Sequence, residues 1–518
     1  MGKSNRRYKQ GGLNMFGEVK VLQIGEENYK TEYELPEYVD WNYEVFDSDA
    51  DEAIFTQYDV CIVDRNITAD EAVYLRKHVR AYSLFVLDDI EQNSNLAFLM
   101  RSRVGTLLKR DELQGFLNDN IRNYYTKFYG EKFDMNRFVI SHKFEGGVSF
   151  EGHRGVILSG SFGDDYSQVG FFRQNIPISS NQALDFFLEY EKSEDVELQM
   201  EIVFLDRAKS YQIRDRVVFD DAKLSGLEEC TVENNGGEAL VFVSLNARGC
   251  GVLNIKSLHD RWSRRGVGTF LPGAKRLVTS DREEVFIYFE PGDLKPPLNV
   301  YFSGYSTREG FEGYGMLRDF GSPFILISDQ RLEGGGYYIG SKEYEENIEH
   351  EIKRVMKELS FTKADLVMSG IQMGSTGAIY YGASFEPHSI IAGKPVFNLG
   401  SVASAGRIHR PGVFSSAIDV LRKNTEKTVP DAMTELNDRM WQKFDKANWN
   451  DTTFVISYML DDDYDIDAYR NMLEHVDSNH VKIYGRGLSG RHNDNTAGII
   501  EWFASEYRKM MERDYSRK

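Results

Sequence analysis

The pattern of apolar residues changes twice along this chain, and that double change most restricts how it can fold. In the first segment short apolar runs alternate with helical stretches. Val19–Ile24, 43–46, Val60–Val63 and Leu84–Leu87 read as buried strands, and 69–80 reads as a helix. That rhythm predicts parallel βαβ units. From about Asn136 the rhythm becomes strict alternation. Residues 196–202 put Leu198, Met200 and Ile202 on one face, as a half-buried antiparallel strand does. Similar signals recur at 138–140, 156–158, 184–190, 240–245 and 251–258, separated by turns such as Asn-Asn-Gly-Gly at 234–237. With few helical stretches between them, residues 131–283 are expected to form a β-sandwich, a type of module that often binds carbohydrate. From residue 284 the α/β rhythm returns, with strands at 284–289, 300–305, 324–327, 366–368, 390–391, 454–459 and 481–484 and a final helix over 496–511.

These shifts divide the chain into a flexible tail over 1–16, a Rossmann-like domain over 17–130, the sandwich over 131–283 and a second α/β domain over 284–518. The first α/β segment carries no G-x-G-x-x-G after Gly25, so a docking or scaffold role is expected there rather than a dinucleotide site. The chain has 518 residues, of which 41% are hydrophobic and 28% charged, as in a globular protein of several domains. A net charge of −19 argues against a general nucleic-acid binder, which needs clustered Lys and Arg. Cys61, Cys230 and Cys250 are far apart and form no C-x-x-C, which excludes a disulfide framework and a thiolate metal site and predicts buried free thiols. No apolar run reaches the ~18 residues of a membrane span, and the basic N-terminus lacks an apolar signal core. A cytoplasmic protein is expected, with peripheral contact at the inner face of the membrane as the role open to the basic tail.

The chemistry concentrates in the last segment. Met373-Gly374-Ser375-Thr376-Gly377 follows the 366–368 strand and precedes a small-residue helix over 378–383, the setting of a nucleophile elbow. Gly377, two residues after Ser375, fits that motif. Met373 does not, because the motif has a small residue there. A serine nucleophile needs a base, and the base a carboxylate, in the chain order Ser, acid, His. The 454–459 strand empties into Asp461-Asp462-Asp463-Tyr464-Asp465, and the 481–484 strand into a loop ending at His492, directly before the last helix. His492 is the expected base. Asp462 is best placed by register, Asp461 and Asp463 are rivals, and Asp465 suits a helix cap. His388 and His409 precede the acid loop, and His475 and His480 lie at the other end of the sheet. No histidine pair has metal-ligand spacing, so no metal is expected. Oxyanion donors are expected from the backbone N–H of Thr376 and of Tyr305, in the Ser303-Gly304-Tyr305 step. Residues 401–450 read as a helical insertion, with Arg407, His409 and Arg410 at its start, covering the site as a cap.

Taken together, Gly370-Ile-Gln-Met-Gly-Ser-Thr-Gly377, Tyr458-Met-Leu-Asp-Asp-Asp-Tyr-Asp465, Gly490-Arg-His-Asn-Asp494 and the Ser303-Gly-Tyr305 step resemble the second accessory secretory protein family of the Gram-positive accessory Sec system, over the full length. The resemblance implies an α/β-hydrolase fold for the last domain and an O-acetyltransferase that modifies N-acetylglucosamine on serine-rich-repeat glycoprotein adhesins before export. It implies a triad of Ser375, an Asp of the 461–463 cluster and His492, and acetyl-CoA as the plausible donor, with no cofactor permanently bound. It implies partnership with the first and third accessory secretory proteins and the accessory motor ATPase. Serine chemistry alone leaves two alternatives: a carboxylesterase or deacetylase on acetylated glycans, or a non-catalytic docking subunit.

Overall fold

The computed structural model describes residues 17–44, 57–127, 129–408, 416–476 and 481–517. The expected tail over 1–16, His409, Arg410 and His480 lie outside them, as does the side chain of Arg407.

Three sheets follow one another along the chain. The first has five parallel strands, Val19–Ile24, Val39–Tyr43, Val60–Val63, Leu84–Leu87 and Thr106–Leu108, in the spatial order 2-1-3-4-5. Val60–Val63 and Leu84–Leu87 are buried along their whole length, as strands covered on both faces must be. The second strand lies earlier than the sequence suggests: Trp41 fills the core, while Tyr43 ends the strand.

The middle region is built of strands, as its alternation predicts. Its strands belong to one continuous eleven-stranded network, because the 24-residue strand Ala239–Trp262 pairs with partners along its whole length. Leu198, Met200 and Ile202 point into its single apolar core. The network also captures Arg308–Glu309, a two-residue strand from the third region, which pairs with Gly130–Phe133. Cys61 and Cys230 are buried, but Cys250 is exposed, since it sits where the long strand is bulged against its neighbour.

The third sheet has eight strands. In chain order they are Lys275–Val278, Glu284–Glu290, Leu298–Phe302, Phe324–Ser328, Leu366–Ile371, Ser389–Gly393, Thr453–Met459 and Lys482–Leu488, and in space they lie 1-2-4-3-5-6-7-8. The second runs antiparallel to its neighbours and the third to eighth run parallel. Lys275–Val278 therefore belongs to this sheet and not to the middle region, which moves the expected junction at 283/284 back. Its helices are built in the ordinary way. Lys342–Leu359 starts at Ser341, whose hydroxyl accepts the Tyr344 N–H, and buries Ile348, Ile352 and Val355 on one stripe. Three helices, Leu399–Ile408, Ala417–Thr425 and Pro430–Phe444, occupy the connection between the sixth and seventh strands. No described helix is long and apolar enough to cross a membrane.

The middle and third regions are joined by buried charge. Arg261 on the long strand donates to Glu309, Glu229 and both oxygens of Glu284, while His259 bonds Glu309 at 2.5 Å and Glu189 at 2.8 Å. Burial alone would lower the His259 pKa, but the carboxylates of Glu309, Glu189 and Glu284 outweigh it and raise it to about 9. A pKa raised on folding means that the bound proton stabilises the native state. The contribution is complete below the ordinary value of 6.5 and is lost as pH rises through about 9. Denaturant midpoints measured from pH 6 to 10 should therefore fall across this window. In His259→Gln the fall should be shallower.

Candidate active site

The site lies at the carboxyl ends of the parallel strands, where loops of this sheet type converge. The strand Leu366–Ile371 turns into the helix Met373–Phe385 through a single residue, Gln372. Its backbone is at φ 54°, ψ −120°, a conformation that side chains larger than glycine rarely adopt and that marks a strained turn. The turn is this tight because nothing else fits beside it. A Cβ on Gly370 would lie 2.2 Å from the Gly374 carbonyl oxygen, and one on Gly374 would lie 2.0 Å from the Phe302 carbonyl oxygen. Glycines two before and two after the strained residue are the spacing of a nucleophile elbow. The frame is therefore Gly370-Ile-Gln-Met-Gly374, centred on Gln372.

That shifts the expected frame by three residues. The segment read as a turn before a helix at 378 is already the helix, which begins at Met373. Met373, out of place in the Ser375 frame, is the residue after the elbow. Ser375 is fully buried in the first helical turn. Its hydroxyl donates to the Gln372 carbonyl oxygen at 2.5 Å and lies 3.4 Å from that of Lys394. Thr376 is buried on the same helix, with its hydroxyl on the Val396 carbonyl oxygen at 2.7 Å. As helix residues behind the elbow, neither is placed as expected for a nucleophile or an oxyanion donor. In the observed frame the N–H that follows the elbow is that of Met373.

The acid and base expected from the sequence do come together. His492 Nδ1 lies 2.9 Å and 3.1 Å from the two oxygens of Asp462, and both residues are buried. Asp462 also accepts the backbone N–H groups of Tyr464 at 2.8 Å and Asp465 at 3.2 Å. Burial raises its pKa, but the His492 bond and these N–H donors outweigh burial and hold it below the ordinary carboxylate value. The rival aspartates do other work. Asp463 accepts the His492 backbone N–H at 3.0 Å, and Asp461 faces the Gly490 N–H at 3.4 Å. Asp465 does not cap the following helix. It receives the N–H groups of Phe397 and Asn398 and the Asn398 amide, tying the acid loop to the start of the helical insertion. Tyr464 stacks on His492, with ring centroids 3.9 Å apart and planes 10° apart, which fixes the imidazole. His388 and His475 are placed elsewhere: His388 bonds Ser389, and His475 bonds Asp445 and stacks on Trp441.

A cavity of about 310 Å³ opens beside this pair. It is lined by Gln372, Met373, His492, Asn493, Tyr464, Tyr305, Thr307, Glu333, Gly334, Tyr337 and Ser416, and Ser375 is not among them. Tyr305 lines this cavity, and the neighbouring Gly304 N–H is used by Glu312 at 2.8 Å. Sequence reasoning missed Gln372, Tyr464, Asn493 and Glu333. The Gly370/Gly374 spacing is the signal that finds Gln372. The others come from loops that only the fold brings together. Among the described residues no group of three or more His, Cys, Asp or Glu is placed to hold a metal.

The family model described as the accessory Sec system GspB-transporter matches residues 19–517. An accessory Sec system protein of Streptococcus gordonii is 35% identical over 513 residues, covering 97% of this chain and 100% of its own. One of Staphylococcus aureus (strain NCTC 8325 / PS 47) is 38% identical over 389 residues, 75% of this chain and 74% of its own. A glycosylation-associated protein (Gap123) complex from Streptococcus agalactiae contains a chain 33% identical, with a TM-score of 0.83 over 97% of this chain and 100% of that one. This chain belongs to the accessory Sec system GspB-transporter family, that of the second accessory secretory protein.

Proposed function

We propose that this chain serves accessory Sec export as a subunit that holds glycosylated serine-rich-repeat adhesin, and that its hydrolase-like site binds a sugar-sized ligand without being acylated. Family membership supports the export role, and the streptococcal complex supports assembly with other accessory proteins. The first and third accessory secretory proteins and the accessory motor ATPase are the proposed partners. The 1-2-4-3-5-6-7-8 strand order is that of an α/β-hydrolase sheet and supports reading the site in that frame. The cavity suits a sugar: tyrosine faces take its C–H surfaces, and Gln372, Asn493 and Glu333 are polar partners for its hydroxyls.

The observation that carries the reading is Gln372 at the elbow. Acetyl transfer through Ser375 from acetyl-CoA would need a hydroxyl that His492 can deprotonate, with room for an acyl group in front of it. Ser375 is buried, faces two backbone carbonyls and lies outside the cavity lining. An amide at position 372 has no nucleophilic oxygen to offer in its place.

Co-purification with the first and third accessory proteins, and export of a serine-rich-repeat adhesin from cells, test the role. Ser375→Ala should leave both at wild-type level and cost about 1 kcal/mol in stability for one buried hydrogen bond. Loss of export in folded Ser375→Ala would contradict the reading.

A further inference from the structure

The strain at Gln372 is not explained by the glutamine itself. A glutamine needs no φ of 54°, and an ordinary strand-to-helix connection would avoid the cost. The surroundings nonetheless keep every provision for the elbow. Gly370 and Gly374 leave no room for a side chain on either flank. The Gln372 carbonyl is held by the Ser375 hydroxyl at 2.5 Å and the Ser375 N–H at 2.9 Å. The Gln372 N–H is held by the Gly393 carbonyl at 2.8 Å. In the lining of the same cavity His492 keeps its acid, its stacked tyrosine and a backbone anchor on Asp463. With Nδ1 on Asp462, the remaining ring nitrogen, Nε2, is the one available to a substrate or nucleophile.

We propose that this site is a Ser–His–Asp acyl-transfer apparatus in which only the nucleophile has been replaced: Gln372 stands in its place, and His492 with Asp462 remains a working general base. The proposal deepens the non-acylating reading above and rests on it for the identity of the elbow. It assigns Gln372 as the residue that decides whether the site reacts, and a small acyl ester as the chemical class that the reactive form would cleave.

The chemistry of that form balances. With serine at position 372, its oxygen attacks the acetyl carbonyl of p-nitrophenyl acetate and its proton passes to His492 Nε2. The ester C–O bond breaks, and the leaving oxygen takes the proton as p-nitrophenol. Water then attacks the acyl ester, giving a proton to His492. The proton returns to the serine oxygen as acetic acid departs.

The test uses the full chain with p-nitrophenyl acetate. Wild type and Gln372→Ala should hydrolyse it no faster than buffer. Gln372→Ser should release p-nitrophenol at least about 100-fold faster than wild type and gain one acetyl mass on the peptide containing position 372. Adding His492→Ala should remove about 100-fold or more of that rate, the span of general-base catalysis. Gln372→Cys offers a second route: its thiol should be alkylated by iodoacetamide at neutral pH faster than Cys250, and the advantage should vanish with His492→Ala. Inertness of both folded variants would overturn the proposal. So would failure of both to fold, because an elbow built for a short nucleophile accepts one. Acetylation of wild type on Ser375 would overturn the elbow assignment itself. Co-purification with the accessory proteins separates the outcomes: its loss would count against the export role and leave the site assignment untouched.

Discussion

Replacing Arg261 by methionine should destabilise the protein by about 3–5 kcal/mol, the cost of leaving partners of a buried ion pair uncompensated. The guanidinium is 1% exposed and meets three carboxylates, Glu309 at 2.7 Å, Glu229 at 2.8 Å and Glu284 at 2.6 Å. Methionine fills similar space but leaves Glu309 buried with His259, and Glu284 buried with Arg276 and His259, as the remaining cations in contact. The effect should reach the site. Glu309 ends the loop that carries Tyr305 and Thr307, and Arg261 helps hold that loop against the middle sheet. Denaturant titration should show an earlier midpoint, and proteolysis should cut first within 303–312. A stability within about 1 kcal/mol of wild type would mean that the cluster contributes no more than a surface salt bridge.

Gly374→Ala should be the most damaging single methyl in the elbow, costing about 3 kcal/mol or more, at the upper end for overpacking. The added Cβ would sit 2.0 Å from the Phe302 carbonyl oxygen, 2.9 Å from its carbon and 3.2 Å from the Ser303 oxygen. All three are backbone atoms, so relief requires the helix or the strand to move. Either movement withdraws Gln372 from the cavity. Gly315→Ala is the control, because nothing lies within 4 Å of its added Cβ. Relative to glycine, alanine in that helix should be neutral or stabilising by up to about 1 kcal/mol. Thermal melts of the two variants and of wild type decide the matter.

Periodicity is enough to read the two α/β regions, because buried parallel strands such as Val60–Val63 and Leu84–Leu87 are apolar throughout and stand out from amphipathic helices. It is not enough for the middle region. Strict alternation identifies a half-buried strand but not its partners, and only the pairing of Ala239–Trp262 makes one network of the strands. The Lys275–Val278 edge strand is short, only partly buried and polar at its start, so nothing local assigns it to the third sheet.

Half of the site is legible in the sequence. Asp462 follows from register, since strand residues point alternately to opposite faces and the loop begins at a fixed place. His492 follows from its position before the last helix. The elbow is harder to read because a serine draws the eye and a glutamine does not. A Gly-x-x-x-Gly spacing defines the turn by backbone clearance whatever residue sits between, and two overlapping frames here satisfy a glycine two residues after the centre. Only the frame on Gln372 also has a glycine two residues before it. Met373, too large for that position in the other frame, is the sequence evidence against Ser375.

Acetyl transfer followed by mass spectrometry tests the central claim most directly. Wild type and Ser375→Ala would each be incubated with acetyl-CoA and a glycopeptide bearing N-acetylglucosamine on serine. Organisation of the site around Gln372 predicts no acetyl mass gain on the sugar and no acetyl adduct on the wild-type protein. A gain with wild type that disappears in Ser375→Ala would contradict it and make Ser375 the nucleophile.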